Sequence, residues 1–181
     1  MLIHDMTRQV SIDLLAHSRL GRLACAHDGQ PYITPIFCAY EDNYLYSFSE
    51  AGQKITWMRA NPKACVEVEE VRSAQDWATV IVFGNYEELA DTPPYDVYRK
   101  HAYDVLQRGH VWWEPGCATT VLHEKTRSME FVYFRIHVDQ ISGRRCVPDT
   151  VSGQEPSVRR EGPAGWLQSI VECHEHQKRG E

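Results

Sequence analysis

The chain has 181 residues, enough for one well-filled hydrophobic core, and no Pro/Gly/Ser-rich linker divides it into comparable halves. Its formal net charge of −6 argues against the broad basic face that duplex nucleic acid requires, while leaving room for a local basic pocket that holds one phosphate. The opening residues carry His4, Asp5 and Arg8 without an apolar run behind them, which argues against a signal peptide or membrane span and predicts a cytoplasmic protein with no membrane partner.

In chain order, Ile12, Leu14, Leu15 and Ala16 follow helical spacing and predict a short helix over 11–17, with Ser and Asp near its start. Three strands follow, near 21–26, 32–40 and 44–49, punctuated by Asp28-Gly29 and by Glu41-Asp42-Asn43. Asp-Gly between two such runs signals a hairpin, so the three pair as an antiparallel meander. The segment AGQKITWMRANP changes period and predicts a helix through Ile55, Met58 and Arg59, closed by Asn61-Pro62. ACVEVEEV alternates apolar and acidic residues as a fourth strand, and 77–86 supplies a fifth. A second helix in the body of the domain fits 94–107, with Tyr95, Tyr98, Ala102, Val105 and Leu106 on one face. FVYFRIHVDQISG is a sixth strand that ends at a turn. Beyond Arg144 periodicity is lost among Pro148, Gly153, Pro156, Gly162, Pro163 and Gly165. The expected organisation is a domain over 1–143 and a mobile or partner-docking tail over 144–181, with one amphipathic turn or two through Trp166, Leu167 and Ile170.

Six cysteines in a chain assigned to the reducing cytosol read as free thiols, with Cys25, Cys38 and Cys65 as small hydrophobes in strand-like runs. The histidines show no H-E-x-x-H, the cysteines no C-x-x-C, and there is no nucleophile elbow, so hydrolase and zinc readings are weak. Cys173, His174 and His176 lie in a charged terminus and lack a fourth ligand, so no metal site is assigned.

Three constellations carry chemistry. Ser47, Phe48 and Ser49 end the third strand just before Gly52-Gln53-Lys54 opens a helix; hydroxyls, an amide, a Lys charge and free helix amides converge there as a phosphate cradle. A plain strand–turn–helix junction with a Ser cap is the other reading. Pro35 interrupts an otherwise regular strand, suggesting an edge or bulge where backbone groups near Thr34 and Ile36 could meet a flat heterocycle; an ordinary edge strand fits the same pattern. Trp57, Trp77, Trp112, Trp113, Phe48 and Tyr32 are mostly core, but adjacent Trp112 and Trp113 cannot both point inward, so one covers a ligand or a subunit interface.

This order of parts, from GRLACAHDGQPYITPIFCAYEDNYLYSFSE through GQKITWMRANPKACVEVEEV to WATVIVFGNYEEL, resembles the pyridoxamine 5'-phosphate oxidase-like, FMN-binding split-barrel family, and within it the nitroimidazole-resistance (nitroimidazole reductase) branch, over about residues 11–143. The resemblance implies a mainly β fold, a six-stranded antiparallel split β-barrel with flanking helices, and a homodimer holding two FMN sites at its interface. By position, Thr34, Pro35 and Ile36 match the strand lining the flavin ring, Ser47, Phe48 and Ser49 the next contact segment, and Gln53 and Lys54 the phosphate end. Trp77 and Thr79 fall where dimer-forming strands approach the flavin, and Trp113, with Trp112, reaches from the partner subunit. Gln53-Lys54 replaces the Arg-Lys pair of pyridoxamine-phosphate oxidases proper, and their substrate-binding Arg and His near the C-terminus are absent, which argues against vitamin B6 oxidation. The implied function is an FMN-dependent oxidoreductase passing electrons from NAD(P)H to a small aromatic, nitro or quinone-like acceptor; the flavin carries the redox step, so no catalytic triad is expected. A non-catalytic flavin- or haem-binding protein is the alternative from another class, and a cofactor-free interaction module the third.

Overall fold

The computed structural model describes residues 2–108, 120–122, 125–127 and 131–148. The chain begins with β1 (Leu2–Asp5) and α1 (Arg8–His17). The helix starts three residues before the expected position because Thr7 is the cap: its Oγ1 accepts from the Val10 amide at 3.3 Å. Ser11 is instead buried inside the helix, donating its hydroxyl to the Thr7 carbonyl at 3.0 Å. Thr7→Ala should therefore lower stability by about 1 kcal/mol, read as a shift of the urea midpoint.

The hairpin signals hold. β2 (Leu20–His27) and β3 (Gln30–Glu41) are joined by Asp28 and Gly29, at φ 49° and 77°. β3 and β4 (Tyr44–Glu50) are joined by Asp42 and Asn43, at φ 49° and 65°. Both are two-residue turns with two left-handed residues, the twist that suits adjacent antiparallel strands. After α2 (Gln53–Ala60) come β5 (Lys63–Ser73) and β6 (Asp76–Glu88), then a 3₁₀ turn at Pro93–Tyr95, α3 (Asp96–Gln107), the short pair β7 (Thr120–Leu122) and β8 (Lys125–Arg127), and β9 (Phe131–Val147). The long β9 closes the sheet. Its first half pairs with β4 and most of its length pairs with β6, giving the ring β9-β4-β3-β2-β5-β6 and back to β9, all antiparallel. These are the six strands read from the sequence, and they form the expected mainly β, antiparallel split barrel; β1 adds to β9 as a seventh strand of that sheet among the described residues. The last strand does not stop at Gly143. It continues to Val147 because Arg144, Arg145 and Cys146 pair with β6 on one side and β1 on the other, burying Cys146.

Period-two alternation fills the barrel with Leu23, Val66, Val68, Val80, Val82, Phe134 and Ile136, while Ile55 and Met58 of α2 join the same cluster at one end. On the opposite face of β3 and β4, Ala102, Val105 and Leu106 of α3 cover Phe37, Ala39, Tyr46 and Phe48. Cys25, Cys38 and Cys146 are buried free thiols and Cys65 is half-buried. Burial pushes the Cys38 thiol up to about 12, consistent with a small core hydrophobe. Among the described residues no helix is long and apolar enough to cross a membrane. Residues 109–119, which include Trp112 and Trp113, and the segment from 149, which includes the predicted amphipathic turn and Cys173, His174 and His176, lie outside the described residues.

Candidate functional site

The barrel is split between β3 and β4. β3 pairs with β2 from Gln30 to Phe37, but with β4 only from Cys38 to Glu41. The last β3–β4 pair is Cys38 with Ser47, and there the Ser47 hydroxyl donates to the Phe37 carbonyl at 2.7 Å. From Phe48 to Glu50, β4 keeps only β9. One edge of β3 over 30–37 is thus left without a strand among the described residues.

Register settles which peptide groups face that edge. The Cys38 amide donates to the Arg19 carbonyl at 2.9 Å, so even-numbered residues of β3 turn their peptide groups toward β2 and odd-numbered ones turn away. Pro35 therefore sits where its missing N–H would have pointed at the opening, and it sacrifices no ladder bond. Pro31 has the same parity. The groups aimed at the opening belong to Ile33 and Pro35; those of Thr34 and Ile36, expected to be available, are turned to β2. Ile33 was missed in the sequence, although two prolines four residues apart on one strand mark a shared open edge.

Side chains divide by face. Ile36 packs inside the barrel, and Thr34 shares its parity; Ser47 and Ser49 share the parity of the core residue Leu45. Both serines are buried, with the Ser49 hydroxyl donating to the Glu50 carbonyl at 2.9 Å. Phe48 points the other way, against Phe37, Phe131 and Tyr133 under α3.

Beyond Glu50 the chain turns into α2. Its cap is Gly52, which supplies no side-chain acceptor, so a Ser cap does not start this helix and among the described residues no side chain caps its first amides. Gln53 is exposed. Lys54 is half-buried, and burial lowers its pKa against the opposing influence of Glu50 and the Cys25 thiol. Among the described residues no hydrogen bond or ion pair holds its ammonium. A cation partly withdrawn from water, with Glu50 acting on it only at longer range and no direct ion pair among the described residues, is an unfavourable arrangement that an anion in contact would relieve. The far end of α2 is fixed to the barrel: Arg59 grips Glu88 of β6 with two 2.7 Å hydrogen bonds, and Tyr86 donates to Glu88 at 2.8 Å. The Arg59 bond, first, and that of Tyr86 hold the Glu88 carboxyl below the usual range. A depressed carboxylate contributes stability above its unfolded pKa and loses it as pH falls through the folded value. The stability gap between the native chain and Arg59→Gln should therefore be present at neutral pH and shrink below the ordinary carboxylate range in urea titrations.

Trp77 and Thr79 lie elsewhere, on the outer face of β6. Thr79 donates to Glu67 at 3.0 Å, Glu67 pairs with Arg22 at 3.0 Å, and Arg22 also meets Glu69 at 2.7 Å. Arg22 is the register partner of Pro35, so Pro35 and Thr79 belong to one outer surface across β3, β2, β5 and β6. Around this polar ladder, Leu20, Ile33, Val71 and Phe83 expose about half or more of their surface. Within one chain the predicted residues therefore form two sets: Thr34, Ile36, Ser47, Ser49, Gln53 and Lys54 at the split and the helix start, and Pro35, Trp77 and Thr79 on the outer face. Phe48 belongs to the core under α3, and Trp113 lies outside the described residues.

Comparison with known proteins gives the family and relatives of the same fold. Residues 7–145 match the family described as pyridoxamine 5'-phosphate oxidase. An uncharacterized protein of Rhizobium meliloti (strain 1021) is 40% identical over 144 residues, covering 80% of this chain and 95% of that protein. A solved FAD-binding protein of Mesorhizobium loti is 42% identical with a TM-score of 0.66, covering 81% of this chain and 99% of that one. A proposed 5-nitroimidazole antibiotic resistance protein of Bacteroides thetaiotaomicron shares the fold, at 18% identity and a TM-score of 0.58, over 80% of this chain and 87% of that one.

Proposed function

The chain belongs to the pyridoxamine 5'-phosphate oxidase family, and from that premise we propose that it binds a flavin nucleotide, with FMN as the minimal ligand, and acts as a flavin-dependent oxidoreductase. Electrons pass from NAD(P)H to a small aromatic, nitro or quinone-like acceptor in the cytoplasm. The observation that carries this reading is Lys54: half-buried, lowered in pKa and, among the described residues, without an ion pair, at the start of a helix whose first amides receive no side-chain cap from those residues. That donor set fits a phosphate.

The ammonium of Lys54 and the α2 amides would hold the phosphate, with Gln53 able to add an amide donor. The open edge of β3 offers the Ile33 amide as donor and the Ile33 and Pro35 carbonyls as acceptors, which suit the alternating donor and acceptor edge of an isoalloxazine. When bound, the flavin supplies hydride and single-electron chemistry; the protein's part is to position it and leave one face accessible. The Mesorhizobium loti relative, an FAD-binding protein at 42% identity, supports a flavin nucleotide here.

We also propose a homodimer formed across the outer face that carries Leu20, Ile33, Val71 and Phe83, since so many large apolar side chains on one sheet face favour being covered. It would bring the Trp77 and Thr79 of one subunit toward the split of the other. Sedimentation of the purified chain tests this, and a monomer at micromolar concentration refutes it. For the cofactor, the chain is purified without added flavin and titrated with FMN while flavin fluorescence is followed. Saturation at one flavin per chain, followed by NAD(P)H oxidation with a quinone or nitroaromatic, supports the reading. Binding without turnover favours a storage or sensing role, and a Soret band in place of flavin absorption would assign haem.

A further inference from the structure

Three aromatic rings meet beside Lys54. His27 ends β2, Tyr32 lies just past the hairpin turn on β3, and Trp57 projects from α2. The Trp57 ring centroid is 5.9 Å from that of His27 and 5.7 Å from that of Tyr32. Asn61 docks the end of α2 onto the hairpin by donating to the Ala26 carbonyl at 2.9 Å. None of the three rings is buried, although Tyr32 and Trp57 rest on the barrel core. A plug for the barrel end is already supplied by Ile55 and Met58, so the rings are not needed for that purpose.

Connectivity links this cluster to the phosphate holder. Lys54 and Trp57 are three residues apart on one helix and so share a face. Lys54 is close enough to interact electrostatically with Cys25, which is the register partner of Tyr32, and with Glu50, which ends β4 at the split. Lys54 is therefore near both the end of β4 at the split and the strand pair that carries Tyr32.

We infer that the ring cluster of His27, Tyr32 and Trp57 is a stacking shelf for the adenine of FAD, with the pyrophosphate at Lys54. This rests on the flavin reading above. Its covalent logic is that FAD is FMN whose terminal phosphate is joined through a pyrophosphate link to adenylate, so the surface beside the phosphate holder, away from the flavin ring, receives the purine. A flat neutral base suits half-exposed rings, and base–aromatic stacking tolerates tilted neighbours of this kind.

The test titrates the full flavin-free chain with FMN and with FAD, following flavin fluorescence. FAD should bind about tenfold or more tightly than FMN, the order expected from one stacked base. His27→Ala, at a half-exposed position, and Trp57→Leu should each reduce that preference while leaving FMN affinity unchanged. FMN and FAD binding equally well would overturn the shelf but leave the flavin reading intact. Loss of both affinities together in His27→Ala and Trp57→Leu would show a structural role and also overturn it, as would variants that weaken only NADH, which would assign the rings to the reductant. Binding of neither flavin by the native chain would overturn both inferences.

Discussion

Gly84→Ala is expected to destabilise the protein by about 3 kcal/mol or more, at or beyond the upper end of the usual range for overpacking. An added Cβ would stand 2.1 Å from the His137 carbonyl oxygen and 2.7 Å from the Ile136 Cγ2. The first of these is backbone on the neighbouring strand, so no rotamer change can relieve it. It lies at the seam that closes the barrel, where the β6–β9 register slips between Phe83 with Gln140 and Gly84 with Val138. This is a bulge in β9, and the glycine lets the strands approach across it. His137 is also paired with Tyr44 on β4, so moving β9 away from residue 84 disturbs a second ladder. A urea melt at unchanged m-value should show the loss. Gly52→Ala is the control: its Cβ would meet nothing nearer than the Glu50 carbonyl at 3.9 Å, and it should shift the midpoint far less.

The same glycine shows where sequence reading stops. Alternation of apolar residues gave the six barrel strands and their hairpins because each signal is local: Asp28-Gly29 and Asp42-Asn43 adopt left-handed turns, and β5 shows its wet and dry faces residue by residue. Closure is not local. Nothing near 84 states that β6 will meet β9 some fifty positions away, although an isolated glycine within a strand is the usual mark of a bulge. For the same reason Arg144 to Val147 read as the start of a tail, when partners far away in the sequence, β1 at the beginning of the chain and β6 in its middle, keep them in a strand. Pro35 was legible as an edge residue because proline removes one donor whatever its partners. Which groups face the opening was not, since parity depends on the β2 register, and it transfers that role from Thr34 and Ile36 to Ile33 and Pro35. Lys54 stood out as a candidate phosphate ligand by type and spacing; its half-burial without a direct ion pair among the described residues required the fold.

Lys54→Ala is expected to weaken flavin binding by about 1–3 kcal/mol, the range for losing a charge-assisted hydrogen bond to an ionised partner. That corresponds to roughly 5- to 150-fold in Kd. The flavin-free fold should not suffer in parallel. Burial lowers the Lys54 pKa in the native state, so near that value the unfolded chain binds more protons and stability rises with pH through the window below the ordinary Lys pKa. Charged Lys54 thus opposes folding until an anion meets it, and Lys54→Ala should melt at or slightly above the temperature of the flavin-free native chain. Anion binding reverses the sign: a phosphate beside the ammonium raises its pKa, binding takes up a proton, and flavin affinity should fall as pH rises through the lowered value. Titrations of the native chain across that range, repeated with Lys54→Ala, separate the contribution of this side chain from the rest of the site. A pH-independent affinity in the native chain, or unchanged affinity in the variant, would remove Lys54 from the phosphate position. The expected combination, weaker binding with an undiminished fold, is what a residue retained for its ligand rather than for packing should show.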